Sequence, residues 1–118
     1  MTQVSVHKED VEVLAYKLYR ENRPYDEMVR RLAELCETIK KTVAEARAFD
    51  ASCLEDPLQS TKLDASVRLE LKRPSDEEVE RTATKIKAKR PAKAELHWFI
   101  AEKMLLLREL LDAYGENA

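Results

Sequence analysis

Apolar positions along the chain follow two different periods. Val11, Leu14, Ala15 and Leu18 recur at i, i+3, i+4 and i+7, which predicts a helix over about 6–22. Asn22-Arg23-Pro24 interrupts it, and proline suits the first turn of a following helix. Met28, Leu32, Leu35, Ile39, Val43 and Ala46 then step by alternating fours and threes, predicting a second helix over about 24–49 with a coiled-coil-like stripe. Such a helix is roughly 40 Å long. That is more than a small core covers, so the stripe is expected to meet a second chain as well as the first helix. Ser75 and Glu78 form a capping box, which opens a third helix over about 76–88 with Val79, Ala83 and Ile86 inward. After Pro91 a fourth, about 92–114, carries Leu96, Phe99, Ile100, Leu107, Leu110, Leu111 and Tyr114. Trp98, Met104, Leu105 and Leu106 add apolar surface on its other faces, more than a one-sided surface helix needs. Burial on several sides, in an oligomer, is the expectation.

The second period is two. In Lys62–Arg73, KLDASVRLELKR, the apolar residues are Leu63, Ala65, Val67, Leu69 and Leu71. This is the pattern of a half-buried strand. No other stretch reads as a strand, and a strand needs a partner for its backbone groups. Two readings follow. As a helix, Thr61 and Asp64 would cap it and Leu63, Val67 and Leu71 would share a face. As a strand over 66–72, it would pair with its own copy in a second chain.

Composition favours helices. Among 118 residues there is one glycine, Gly115, and 37% of residues are charged. Phosphate-cradling and dinucleotide-binding loops need glycines that the chain lacks. The N-terminal MTQVSVHKED has no apolar signal-like run, and the longest apolar runs are far too short to span a bilayer. Cys36 lies on the apolar stripe and Cys53 in a linker over 50–61. A reduced, cytoplasmic protein without a membrane partner is expected.

Catalytic chemistry has little support. His7 and His97 lack ligand-spaced neighbours, and His97 reads as a packing residue. Glu77, Glu78 and Glu80 suit the dipole of a helix start. No enzyme activity, cofactor or metal site is expected. The net charge is −2. It is uneven: residues 1–60 hold 9 Lys/Arg against 12 Asp/Glu, and residues 61–118 hold 12 against 11. A polyanion would meet the second half. Lys85, Lys87, Lys89, Arg90 and Lys93 form its densest basic run. That run reads either as a solvated helix end or as phosphate contacts.

SVRLELKRPSDEEVE followed by RPAKAEL resembles the ribbon-helix-helix family of DNA-binding proteins over 66–111. The elements in common are a short alternating strand, an acidic helix start, a helix, a break and a second helix. Arg90 stands where that family often has glycine, Ala92 and Ala94 where it has serines, and Thr82 where it has a larger apolar residue. The resemblance implies a dimer whose paired strands enter the major groove of duplex DNA. Arg68, Glu70 and Lys72 would face the bases, with Arg73 beside them, and Lys93 at the fourth helix's start would reach a phosphate.

The expected architecture is mainly α, with helices at about 6–22, 24–49, 76–88 and 92–114 and one short intermolecular strand at 66–72. Residues 1–60 would form a helical hairpin or oligomerisation arm. Residues 61–118 would form a ribbon-helix-helix-like domain, or the whole chain one helical bundle. Leu32, Leu35, Ile39, Val43, Val67, Leu69, Leu71 and Trp98 are the expected oligomer interface. The first functional expectation is a dimeric, non-enzymatic DNA-binding regulator. The second is an all-α protein–protein interaction module (adaptor, inhibitor or assembly protein). The third is a phage-type accessory to single-strand recombination, against which the sequence offers no evident cluster of exposed aromatics.

Overall fold

A computed structural model describes residues 2–4, 6–44, 57–58, 63–65 and 72–114. Its elements are β1 (Thr2–Val4), α1 (Lys8–Glu21), α2 (Tyr25–Ala44), β2 (Leu63–Ala65), α3 (Asp76–Ala88) and α4 (Lys93–Tyr114). The described part is mainly helical. α4 packs between α1 and α2, and α3 packs on the other flank of α2. The helices therefore lie in the spatial order α1, α4, α2, α3.

Local chemistry sets the boundaries. α1 ends where Asn22 takes the left-handed conformation, φ 48°, and its N–H reaches the Tyr19 carbonyl. Asparagine tolerates that conformation better than most residues. Pro24 then opens α2, its carbonyl accepting from the Met28 N–H. α3 begins with the expected capping box: the Glu78 N–H donates to Ser75 Oγ at 3.2 Å, and the Ser75 N–H donates to Glu78 Oε1 at 2.9 Å. At its end Arg90 adopts φ 50°. An arginine occupies the left-handed position that glycine usually fills, and the chain turns into α4 there.

The Glu78 carboxyl is held at about 2, first by the Ser75 backbone N–H and next by Lys41, whose Nζ lies 3.1 Å away. A carboxyl lowered in the folded state contributes stability above its unfolded pKa, near 4.5, and loses it as pH falls toward about 2. Thermal melts across that window should show a falling Tm, and Glu78→Gln should flatten this part of the slope. An unchanged slope in the variant would assign the acid dependence to other groups.

Burial corrects the reading of the long stripe. In α2 the buried positions are Met28, Val29, Leu32, Ala33, Cys36 and Ile39, with Thr38 and Thr42. This face is broader than a coiled-coil seam because α4 covers one flank and α3 the other. Leu32 and Ile39, expected at an interface between chains, are 0% exposed within one chain. Leu35 is half-buried against the same core. α4 is likewise enclosed through Leu96, His97, Ile100, Ala101, Glu102, Lys103 and Leu106. The multi-sided burial expected of an oligomer is thus provided inside the chain, and Trp98 packs half-buried against the core. The Val43 side chain and Val67, Leu69 and Leu71 lie outside the described residues.

The alternating stretch begins with a partner in its own chain. β2 pairs antiparallel with β1, matching Thr2 with Ala65, Gln3 with Asp64 and Val4 with Leu63. The expectation that no other stretch forms a strand is corrected. Three residues are too few to display a period, although Thr2 and Val4 are β-branched strand formers. Residues 66–71 lie outside the described residues. Lys72, the last residue of the expected strand, is not in one, and its N–H donates to Thr42 Oγ1 on α2 at 3.0 Å.

Candidate nucleic-acid interface

α2 and α3 enclose a cleft of about 280 Å³ lined by Glu37, Lys40, Lys41, Glu78, Arg81, Thr82 and Lys85. α2 presents Glu37, Lys40 and Lys41 along the edge of its buried face. On α3, Glu78, Arg81, Thr82 and Lys85 recur at threes and fours and so share one side. Both carboxylates are engaged. Glu78 takes Lys41 and the cap of α3, and Glu37 Oε1 accepts from the Thr82 hydroxyl at 2.5 Å. Thr82, where the family pattern has a larger apolar residue, thereby supplies a polar floor. Among the described residues Arg81 has only a long ion-pair contact, to Glu77 at 4.0 Å. Lys40 and Lys85 have no ion pair among the described residues. Four cations against two occupied carboxylates leave this cleft net positive.

A second cleft, about 450 Å³, is lined by Arg23, Glu27, Arg30, Arg31, Glu34, Leu35 and Met104. Its arginines face more carboxylates: Arg30 pairs closely with Glu80 and lies 3.7 Å from Asp76, Arg23 lies 3.9 Å from both Glu21 and Glu27, and Arg31 lies 3.8 Å from Glu21. These are exposed pairs, each of small energetic weight. They nevertheless leave little net charge for a ligand.

The basic run does not form a single face. Lys85 points into the α2–α3 cleft. Lys87 lies on the other flank and pairs with Asp26 at 3.0 Å. Lys89 caps α3, and Arg90 makes the turn. Lys93 Nζ crosses to Asn22 Oδ1, 3.4 Å away at the end of α1. The same end of the bundle is tied by the Tyr25 hydroxyl, which donates to the Pro91 carbonyl at 2.7 Å. At the start of α4 the Glu95 carboxylate accepts from the Ala92 N–H at 3.1 Å, so a side-chain anion already sits where a phosphate was expected. Arg73 is exposed, and Arg68 and Glu70 lie outside the described residues.

Sequence reasoning missed Lys40, Lys41 and Arg81, because the pairing of α2 with α3 is what joins them to Lys85. It also missed a pair of aromatics. Tyr16 and Tyr19 are 58% and 63% exposed on α1, with ring centroids 6.3 Å apart and planes 30° apart. The signal was present: both residues fall off the apolar face of Val11, Leu14 and Leu18. His97, read as a packing residue, is buried with its ring edge-on to Tyr19 at 6.0 Å. Burial, and then the Lys93 charge, push its pKa below the usual histidine value. Among the described residues its Nε2 has no hydrogen-bond partner.

Cys36 is buried in the core. The described residues contain no cluster of three His, Cys, Asp or Glu suited to a metal ion, and no described helix is long and apolar enough to cross a membrane. No family model matches the chain, and no curated protein or solved structure is significantly similar to it.

Proposed function

We propose that this chain is a non-enzymatic nucleic-acid-binding protein that takes backbone phosphates in the α2–α3 cleft. The observation that carries the reading is the convergence of Lys40, Lys41, Arg81 and Lys85, two of them without an ion-pair partner among the described residues. The cations also continue beyond the cleft. Arg81 and Lys85 on α3 and Lys89 at its C-cap recur every fourth residue, about 6 Å per step. A repeating row of charge suits a polymer of phosphates better than one small anion.

The expected nucleic-acid partner is retained, and its contact surface moves from a ribbon to a cleft.

Fluorescence anisotropy with labelled duplex and single-stranded oligonucleotides, titrated across salt, tests the reading. Affinity should fall steeply as salt rises. Replacing Lys40 and Lys85 together by alanine should weaken binding roughly tenfold or more and reduce the salt slope by about 1.4 to 1.8, the loss of two phosphate contacts. Absence of binding at low salt, or a slope unchanged in the double variant, would overturn it.

A further inference from the structure

Resting on that reading, we infer that the nucleic acid is single-stranded and that its unpaired bases stack on Tyr16 and Tyr19 of α1. These two rings, with Val13, are large apolar groups left more than half exposed on an otherwise charged helix face. The rings are held in place. The Arg20 guanidinium lies 6.0 Å from the Tyr16 centroid and its Nη1 donates to the Tyr16 hydroxyl at 3.3 Å. Tyr19 rests against the edge of buried His97. A fixed aromatic pair with a flanking arginine is a preorganised stacking platform, tolerant of any base because every base has a π-face.

The platform lies beside the turn that joins α3 to α4. From Lys85 and Lys89 on α3 the chain turns at Arg90 to Lys93, and Lys93 is hydrogen-bonded to Asn22, three residues after Tyr19. Lys93 at this end of the bundle and Arg20 on α1 place positive charge beside the rings, where the phosphates of a strand stacked on them would lie. A continuous duplex keeps its base faces stacked on one another and has none to offer the tyrosines. The Arg20 and Lys93 charges beside the rings favour a nucleic-acid strand over an apolar protein segment as the occupant.

Tyr16→Ala/Tyr19→Ala and Tyr16→Phe/Tyr19→Phe, titrated with oligothymidine and with duplex DNA, test the inference. Both positions are exposed, and thermal melts verify that the variants fold. The alanine pair should lose single-strand affinity roughly tenfold or more, while the phenylalanine pair, which keeps the π-faces, stays within about threefold of the parent. Duplex affinity and the salt slope should not move. Unchanged oligothymidine binding by the alanine pair overturns the inference, as does an equal loss for duplex. So does a variant altered only in self-association by sedimentation, which would make the α1 face a contact between protein copies. The Lys40/Lys85 variant separates the two ideas. If it lowers the salt slope by about 1.4 to 1.8 while the tyrosine variants bind normally, the phosphate reading stands and the stacking platform falls.

Discussion

Glu102→Ala is expected to destabilise the protein by about 3–5 kcal/mol, the largest effect of any single truncation considered for this chain. Glu102 Oε1 and Lys103 Nζ are 2.5 Å apart, with side chains 7% and 1% exposed. Lys103 is among the largest fully buried side chains. Its ammonium also lies 5.5 Å from the Phe99 ring centroid, one helical turn back. Adjacent residues on a helix project about 100° apart and do not ordinarily face each other. Here both are enclosed because α4 runs between α1 and α2. Taking Glu102 away leaves the ammonium short of its carboxylate in a site that water reaches poorly. Replacing both residues by apolar ones of similar volume, Glu102→Leu with Lys103→Met, should be neutral or stabilising by roughly 1–4 kcal/mol, because neither charge then needs desolvating. Chemical denaturation of the single and double variants reads both outcomes. A cost below about 1 kcal/mol for Glu102→Ala would mean that the pair behaves as a solvated surface ion pair.

This pair also shows where the sequence stops being informative. Helix boundaries were legible because single residues impose them: Ser75 and Glu78 satisfy the orphan N–H groups of α3, and Pro24 and Pro91 cannot continue the preceding helix. The existence of four helices followed from period alone. The period also marked inward faces, such as Val79, Ala83 and Ile86 on α3, but what covers each helix, and on how many sides, depends on the order α1, α4, α2, α3, and no local pattern encodes that order. No local signal marks Lys103 as buried, and the broad apolar surface of α4 looked like an oligomer interface. The candidate site shows the same division. Lys85 stood out within a charge run, whereas its cleft partners Lys40 and Arg81 lie 45 and 4 positions away in sequence and look like ordinary polar-face residues. Tyr16 and Tyr19 escaped notice for a further reason. Aromatics count as apolar in any periodicity, so two of them on the polar face of α1 blurred the pattern without suggesting a platform.

Leu32→Ala should be the second large effect, about 2–5 kcal/mol, and it discriminates between the two readings of the α2 stripe. Leu32 is 0% exposed and belongs to the core that includes Val29, Cys36, Leu96 and Ile100. Its removal leaves a cavity between packed helices, which relax only partly to fill it. A loss of about 3 kcal/mol corresponds to a Tm lower by roughly 10 °C for a domain near this size. The decisive quantity is the dependence on protein concentration. If the stripe were a seam between chains, folding would be linked to association, and the Tm of both parent and variant would rise with concentration. Because Leu32 and Ile39 are enclosed by α3 and α4 of the same chain, the drop should be the same across a roughly hundredfold range of concentration. A Tm difference that shrinks as concentration rises would return these two leucine and isoleucine side chains to an intermolecular interface. It would also place the stability of the α2–α3 cleft, and with it Lys40 and Lys85, under the control of assembly.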